Sequence, residues 1–297
     1  MKEVKLFIDY LRYERNYSAH TVLAYSNDLQ QFEEFLQNSY KPLAIEDADM
    51  DMVRRWIVSM MNESYSSSAI NRKISALQSY YKFLIRQGVL KKNPIRLLIG
   101  PKKSKSLPYF VKEKDMNEVL DGEEVDEQFE TIRNTLIIEM LYETGIRCSE
   151  LVGIKNADVD TEAMMLKVTG KRNKQRLIPF AEFLKEKISL YYNVRAKTTE
   201  RKNDYFFVRK DGKKITSAIV YYLVKKKLSS ISTLSKRSPH VLRHTFATSM
   251  LNDGAEISAV RNLLGHSSLA STSVYTHVTF EELKKVYNAH PRANINN

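Results

Sequence analysis

The sequence predicts a mainly α-helical protein of two domains, with a small β-sheet in the second. Glycine and proline are scarce, at 9 and 7 of 297 residues, which suits long helices joined by few tight turns. Apolar residues recur at helical spacing through most of the chain, whereas two short apolar segments around a polar turn are typical of a β-hairpin. The length is enough for about two domains, and 43% hydrophobic residues allow each to bury a core.

Residues 1–98 are predicted to form a domain of four helices. The second helix begins after Ser18, a favourable N-cap, and the third begins near Asp49. The fourth begins in a serine cluster at 66–68, has the clearest helical repeat and ends at Gly88. Because the chain is so basic, we expect the polar side of this helix to contact phosphates, although a solvated charged face is the alternative. The candidates there are Arg72, Lys73, Lys82 and Arg86.

Residues 99–108 are predicted to be an interdomain linker, because they lose the helical repeat and contain two prolines and three lysines. Lys102 and Lys103 in this linker are candidates for contact with a DNA backbone. Residues 109–297 are predicted to form the second domain. Its first clear helix stops at Gly145, and Pro239 begins a later helix that ends at Gly254. Three segments are predicted strands: 165–168 and 175–178, which flank a turn at 169–174, and 204–208, before a turn at 210–212.

The charge balance predicts a polyanionic partner. The formal net charge is +12 and the isoelectric point is about 9.5. Nucleic acid is favoured over a membrane, because the sequence has no long apolar run and no lipidation motif. The N-terminus lacks the apolar stretch of a signal peptide, and the single Cys148 excludes an internal disulfide. We therefore expect a cytoplasmic, nucleoid-associated protein.

Two arginines, Arg147 and Arg243, and two histidines, His240 and His266, have spacings that indicate a phosphate-binding site. Arg147 follows the helix stop at Gly145, and Arg243 shares a helix face with His240, three residues before it. Two guanidiniums can hold both non-bridging oxygens of a phosphodiester, a geometry that arginine suits better than lysine. A zinc site at His240 and His244 is the competing interpretation, but it lacks a third ligand and a glutamate after the first histidine. We expect no metal, and we expect His244 to be buried and hydrogen-bonded.

Lys171 lies at the predicted hairpin tip, close in sequence to Arg172, Lys174 and Arg176. A solvated basic turn is one interpretation. In a site that cuts phosphodiesters, a flexible lysine could instead protonate a leaving 5′ oxygen. Arg172 and Lys174 are further candidates for DNA contact.

Tyr275 is the candidate nucleophile among 17 tyrosines. A phenol with its ordinary pKa of about 10 attacks poorly unless its proton is taken up or its anion is stabilised. Nearby arginines could supply the charge that a metal ion otherwise supplies, and the phenolic oxygen could replace an activated water. Glu150 is expected to position Arg147 or the local backbone rather than to react.

At these positions the chain resembles the tyrosine recombinase family, most closely the bacterial Xer-type recombinases, and the resemblance covers essentially the whole chain. The motifs are Thr-Gly-Ile-Arg-Cys-Ser-Glu-Leu at 144–151, Gly-Lys-Arg-Asn-Lys at 170–174, Arg-Leu-Ile-Pro at 176–179, His-Val-Leu-Arg-His at 240–244, Leu-Gly-His at 264–266, and Tyr275. A His-Pro-Arg-Ala tail at 290–293 is also similar to Xer-type tails. The resemblance implies an N-terminal four-helix, SAM-like DNA-binding domain and a tyrosine recombinase catalytic domain.

The resemblance also implies a chemistry. Tyr275 would attack the scissile phosphate, form a 3′-phosphotyrosyl bond and release a 5′ hydroxyl. Because that bond conserves the energy of the phosphodiester, no cofactor is needed. The other implied roles are Arg147 and Arg243 as the phosphate clamp, Lys171 as general acid, His240 in proton transfer and His266 as a hydrogen-bond donor to the phosphate.

The implied partners are a double-stranded DNA recombination site and further recombinase subunits, in a tetramer of this chain alone or with a second recombinase. The tetramer would pass through a Holliday junction, and a DNA translocase is considered as its activator. A tail at about 279–297, with Leu283 and Val286 on one side, would dock into a neighbouring subunit. A terminal helix on its own core is the alternative.

Four functions are weighed on these grounds. The length and the tail favour chromosome dimer resolution over an integrase or excisionase of a mobile element, which shares the chemistry. A type IB topoisomerase-like enzyme fits the small N-terminal helical domain less well. A non-catalytic DNA-binding protein would have no need for Tyr275.

Overall fold

The computed structural model divides into two compact units, residues 1–106 and 107–297. No helix that it describes is both long enough and apolar enough to cross a membrane. The residues described are 2–40, 43–102, 109–121, 128–170, 173–199, 203–231, 234–265, 287 and 290.

The first unit is helical, as predicted. Its main helices are α1 (Lys2–Asp9), α2 (Ala19–Ser39), α3 (Met50–Asn62) and α4 (Ser67–Arg86), with a π-helical turn at Tyr10–Glu14 and a 3-10 turn at Ile45–Asp47. The predicted N-caps are confirmed, because Ser18, Asp49 and Ser66 each accept a backbone N–H three residues ahead. Gly88 adopts a positive φ of 74° just after α4, which confirms that end.

One basic residue of α4 does not lie where the sequence suggested. Lys73 is only 3% exposed, and its ammonium binds Asp28 on α2 at 2.9 Å and also contacts Gln31. The prediction that all four basic residues of α4 lie on an exposed face is therefore wrong for Lys73. The reason is its position one residue before Ile74, beside the apolar stripe, where a buried carboxylate can balance a buried ammonium.

The second unit packs helices around a small antiparallel sheet. Its elements are α5 (Glu113–Asp121), α6 (Phe129–Thr144), α7 (Cys148–Leu151), β1 (Val159–Asp160), β2 (Met165–Thr169), β3 (Gln175–Pro179), α8 (Glu182–Thr198), α9 (Ser217–Lys227), α10 (Pro239–Asn252) and α11 (Ile257–Leu264). The sheet has the order β1-β2-β3, with Val168 opposite Arg176. The predicted hairpin strands, and a mainly helical fold with a small sheet, are confirmed.

The core of the second unit is built on α6, most of which is buried between α8 and α10. Helix α6 ends at Gly145, whose φ of 59° is left-handed, as predicted. The strand predicted at 204–208 is wrong, because only isolated bridges form there, Lys155 with Tyr205 and Val208 with Lys214. Side chains take over part of the hydrogen bonding: the carbonyl of Phe206 accepts from Tyr191 and Arg195.

Candidate active site

Arg147 is positioned by the turn that joins α6 to α7. Its backbone N–H donates to Glu150 Oε2 at 2.8 Å, and its Nη1 donates to Glu150 Oε1 at 2.7 Å. Its Nη2 donates to the carbonyl of Gly265 at 3.2 Å. The side chain is 33% exposed, so this fixed guanidinium can present N–H groups to an anion. The expectation that Glu150 positions Arg147 is confirmed.

Arg243 reaches the same place from α10. Its Nη1 donates to the carbonyl of Gly145 at 2.6 Å, and its Nη2 donates to the carbonyl of Leu264 at 2.5 Å. The residue is buried, and burial lowers its pKa to about 10, with the charge of Arg147 acting in the same direction. Arg243 thus stays charged near neutral pH, and its bonds hold the end of α6 and the end of α11 together.

A third arginine completes the cluster, and the sequence interpretation gave it no role of its own. Arg176 Nη1 and Nη2 donate to the two oxygens of Glu150 at 3.0 and 2.8 Å, and its Nε donates to the carbonyl of Leu263 at 2.7 Å. Strand alternation was the signal that could have found it. Arg176 lies two residues before the buried Ile178 and so faces inward, while Leu177 between them is 49% exposed.

The three arginines bind successive carbonyls at the C-terminal end of α11. Those carbonyls belong to Leu263 and Leu264 in the last turn of α11 and to its cap Gly265, so they lie at the negative end of the helix dipole. Gly265 adopts a φ of 64°, and a Cβ there would come within 3.1 Å of Arg176 Nη1. The left-handed backbone and the close approach of Arg176 therefore both favour glycine where the chain passes the cluster.

Glu150 is the acidic partner of the cluster. Burial by itself would raise the pKa of this carboxyl, but the hydrogen bonds and charges of Arg176, followed by those of Arg147, lower it to about 2. Glu150 therefore remains a carboxylate at any working pH and orients the guanidiniums without exchanging a proton.

His240 begins the same helix that carries Arg243. Partial burial lowers the pKa of His240, and the charges of His244, Arg243 and Arg147 lower it further. It is therefore mainly neutral near pH 7 and able to accept a proton. The expectation that His244 is buried is wrong: it is exposed, because the core-facing positions of α10 are Val241, Leu242 and their helical repeats. Among the described residues no group of three metal-ligating side chains occurs.

Several predicted site residues lie outside the described part of the chain. They are Lys171, His266, Tyr275, Lys103 and Arg172, together with residues 103–108 of the predicted linker. Gly170 directly precedes Lys171 and Gly265 directly precedes His266, and both glycines are described and border the cluster of arginines around Glu150. Gly170 lies against Glu150, with 3.2 Å from a built Cβ to Glu150 Oε1, and Gly265 lies against Arg147 and Arg176.

Most of the described candidates for DNA contact are exposed. Arg72 is half-exposed and paired with Asp28, and Arg86 lies 5.3 Å from the ring centroid of Tyr10. Lys82 and Arg86 line one cleft of the first unit together with three tyrosines. The exposed candidates are Arg72, Lys82, Arg86, Lys102 and Lys174.

Two described residues of the predicted tail pack on the second unit of their own chain. The ring of His290 lies 5.1 Å from that of Tyr142 on α6 and 5.4 Å from that of Phe246 on α10, and Tyr287 stacks beside it. The rest of 279–297 lies outside the described residues, so docking into a neighbouring subunit stays a prediction.

The chain matches two family models. Residues 110–282 match the phage integrase family, and residues 4–88 match the phage integrase N-terminal SAM-like domain. Among similar proteins, Tyrosine recombinase XerC of Listeria innocua is 39% identical over 293 residues, covering 97% of each chain. Tyrosine recombinase XerC of Staphylococcus saprophyticus is 40% identical over 289 residues, covering 97% of this chain and 96% of that protein.

Solved structures share the fold. A XerH site-specific recombinase bound to palindromic difH substrate, in a post-cleavage complex, is 22% identical with a TM-score of 0.73, covering 92% of this chain and 81% of that chain. The Tn1549 transposon integrase in complex with transposon right end DNA is 22% identical with a TM-score of 0.70. The match covers 95% of this chain and 97% of that chain.

Proposed function

Because the chain belongs to the phage integrase family and is a tyrosine recombinase, we propose that it recombines specific DNA sites through a phosphotyrosyl intermediate on Tyr275. One observation carries the proposal. Arg147 and Arg243 come from separate helical elements, yet their guanidiniums converge on the end of α11. The sequence that continues from there contains His266 and Tyr275.

The reaction is a transesterification whose atoms balance without a cofactor. The phenolic oxygen of Tyr275 bonds to phosphorus while the bond from phosphorus to the 5′ oxygen breaks. His240, which its surroundings keep neutral, is suited to take up the phenolic proton. Lys171 would give a proton to the leaving 5′ oxygen. The reverse reaction, with the 5′ hydroxyl of a partner strand, would exchange strands through a Holliday junction.

Arg147 and Arg243 would stabilise the charge that develops on the phosphate, with His266 donating a further hydrogen bond. Both guanidiniums are already oriented by backbone carbonyls, so binding the phosphate demands little rearrangement. Arginine also matches the oxygens of a phosphate better than lysine does, because its planar group donates two parallel hydrogen bonds.

The DNA duplex would also be held by the first unit. Arg72, Lys82 and Arg86 lie along α4 at exposed positions, which supports phosphate contact from that helix. Lys102 and Lys174 are further exposed candidates. Binding through such contacts releases counterions, so the affinity for the site should fall steeply as salt is raised.

The biological role we propose is chromosome dimer resolution, in a tetramer of this chain alone or with a second recombinase. Two relatives named XerC match over 96–97% of their length at 39–40% identity, which supports an Xer-type role over that of an element integrase. A plasmid carrying two directly repeated sites distinguishes a tetramer of this chain alone from a tetramer that includes a second recombinase. Deletion between the sites by this chain alone supports a homotetramer, and deletion only after a second recombinase is added supports a mixed one.

Covalent capture tests the chemistry. The site is first selected from random duplexes by binding, and a nicked suicide duplex carrying it is then incubated with the protein. Wild type should form a protein–DNA adduct that survives denaturation, and Tyr275→Phe should form none. Tyr222→Phe is the matched control, because Tyr222 is a 64% exposed tyrosine on α9. An adduct that forms equally in the Tyr275 variant would exclude the mechanism.

A further inference from the structure

Arg176 and Glu150 form a buried ion pair directly behind Arg147. We propose that Arg176 is a positioning residue that neutralises Glu150, so that the charge of Arg147 remains available to the scissile phosphate. This inference rests on the function proposed above, because it assigns Arg147 to the phosphate. It concerns a residue that need not touch the DNA.

The geometry shows how the carboxylate is shared. Each oxygen of Glu150 accepts one hydrogen bond from Arg147 and one from Arg176, at 2.7–3.0 Å. Two of the bonds come from the guanidinium fork of Arg176, whereas only one comes from the guanidinium of Arg147, whose other bond is from its backbone N–H. The side chains of Arg176 and Glu150 are 8% and 3% exposed, so water screens this pair little.

Glu150 alone would weaken the site that it organises. The carboxylate holds the backbone and the side chain of Arg147 in place, but a negative charge 2.7 Å from a clamp guanidinium offsets the attraction of that guanidinium for a phosphate. A second arginine on the same carboxylate resolves this conflict. Glu150 keeps its hydrogen bonds with Arg147, while Arg176 on β3 balances the charge of the carboxylate.

The formal charges fit the reaction. Three arginines and one glutamate give the cluster a net charge of +2, since 3 − 1 = 2. A phosphodiester attacked by a phenolate passes through a species with two negative charges, one from each reactant. Without Arg176 the cluster would carry +1, so less positive charge would face that species.

Arg176 also contacts the backbone at the C-terminal end of α11. Its Nε bond to the carbonyl of Leu263 and its close packing on Gly265 join β3 to the end of α11, where Arg147 and Arg243 also bind. A purely structural role would rest on these contacts alone. Neutralisation adds a specific expectation: the loss of Arg176 should be offset by removing the charge of Glu150.

A double-mutant cycle tests this expectation by single-turnover cleavage of the suicide duplex. Arg176→Gln can still donate to Leu263, but it leaves the charge of Glu150 to be balanced by Arg147. It should slow cleavage by about 10- to 100-fold, the range for groups that orient reactive side chains. Adding Glu150→Gln should restore at least about fivefold of that loss, because neighbouring charges act non-additively. Losses that multiply, so that the double variant is slower than Arg176→Gln, would overturn the proposal.

Two further variants keep the test decisive if folding is affected. Arg176→Lys retains the charge without the fork and should cleave faster than Arg176→Gln, and equal rates would overturn the proposal. Arg195→Gln is the matched control, because Arg195 is a buried arginine of the same unit that donates to Asn156, Asn203 and Phe206 instead. It should lower the thermal midpoint but leave the cleavage rate of folded protein within about twofold of wild type.

The outcome for Arg176 is separable from that for the function as a whole. If wild type forms no adduct that depends on Tyr275, the proposed function fails whatever Arg176 does. If wild type forms the adduct and Arg176→Gln cleaves equally fast at unchanged DNA affinity, only the role of Arg176 is excluded.

Discussion

Gly145 is the residue at which fold and active site can be perturbed together. It ends α6 at a φ of 59°, and its carbonyl accepts from Arg243 Nη1. A Cβ added there would come within 2.5 Å of Phe246 Cδ1 and 2.9 Å of Leu264 Cδ2. Gly145→Ala thus combines a strained backbone with a steric clash against two apolar side chains that lie beside the arginine cluster.

The expected loss follows from these two effects. A left-handed residue with a Cβ costs about 1–2 kcal/mol, and overpacking a buried site costs about 1–3 kcal/mol. Gly145→Ala should therefore lower the free energy of unfolding of the second unit by about 2–5 kcal/mol. Gly254→Ala is the matched control, because Gly254 lies in the same unit at a φ of 88° with nothing within 4 Å of a built Cβ. It should lose only the backbone part, about 1–2 kcal/mol.

The chain carries one natural probe in each unit. The single cysteine, Cys148, is buried in the second unit, and the single tryptophan, Trp56, is buried in the first. Thiol labelling against urea should show the loss as a midpoint lowered by about 1–2 M, while the midpoint of Trp56 fluorescence stays unchanged. Single-turnover cleavage should fall by up to about 100-fold as Arg243 is displaced. Equal destabilisation by Gly145→Ala and Gly254→Ala would refute the clash, and an unchanged cleavage rate would refute its link to Arg243.

Three other perturbations have defined outcomes. Arg147→Gln should raise the pKa of His240, as followed by NMR titration, because a neighbouring positive charge is lost. Above pH 4.5, the free energy of unfolding of the second unit should be about 3 kcal/mol higher in wild type than in Glu150→Gln. This gap should close as pH falls toward 2, because the pKa of Glu150 is lowered from 4.5 to about 2 in the folded state. Asp28→Asn should destabilise the first unit by about 3–5 kcal/mol in urea unfolding, because Lys73 would stay buried without a countercharge.

The local rules of secondary structure explain why so much of the fold could be predicted. Helix ends in this chain depend on single side chains, such as the hydroxyl of Ser18 or the missing Cβ of Gly145, and these are visible in the sequence. The strand predicted at 204–208 failed for a different reason. The segment 204–208 has the composition of a strand, but its backbone groups bond to Tyr191 and Arg195, which only the tertiary fold brings near.

The site was predictable in part for the same reason. The motifs placed Arg147 and Arg243, because Arg147 follows the helix stop at Gly145 and Arg243 lies four residues after Pro239, which starts α10. Burial of a charged residue depends instead on a partner far along the chain. Lys73 pairs with Asp28, which lies 45 residues earlier in the sequence. Arg176 pairs with Glu150, which lies 26 residues earlier. Neither pairing leaves a local signal beyond a cation at an inward-facing position.

The partners of the arginines reveal a common physical logic. A neutral carbonyl orients a guanidinium and leaves its charge intact, whereas a carboxylate orients it and also cancels much of its charge. Arg243 is held by carbonyls of Gly145 and Leu264, so its full charge can act on a phosphate. Arg147 needs a carboxylate, because Glu150 must also fix its backbone N–H at the start of α7. In the role proposed for Arg176, its charge would compensate Glu150, and Arg147 and Arg243 would then act similarly on two oxygens of a bound phosphate.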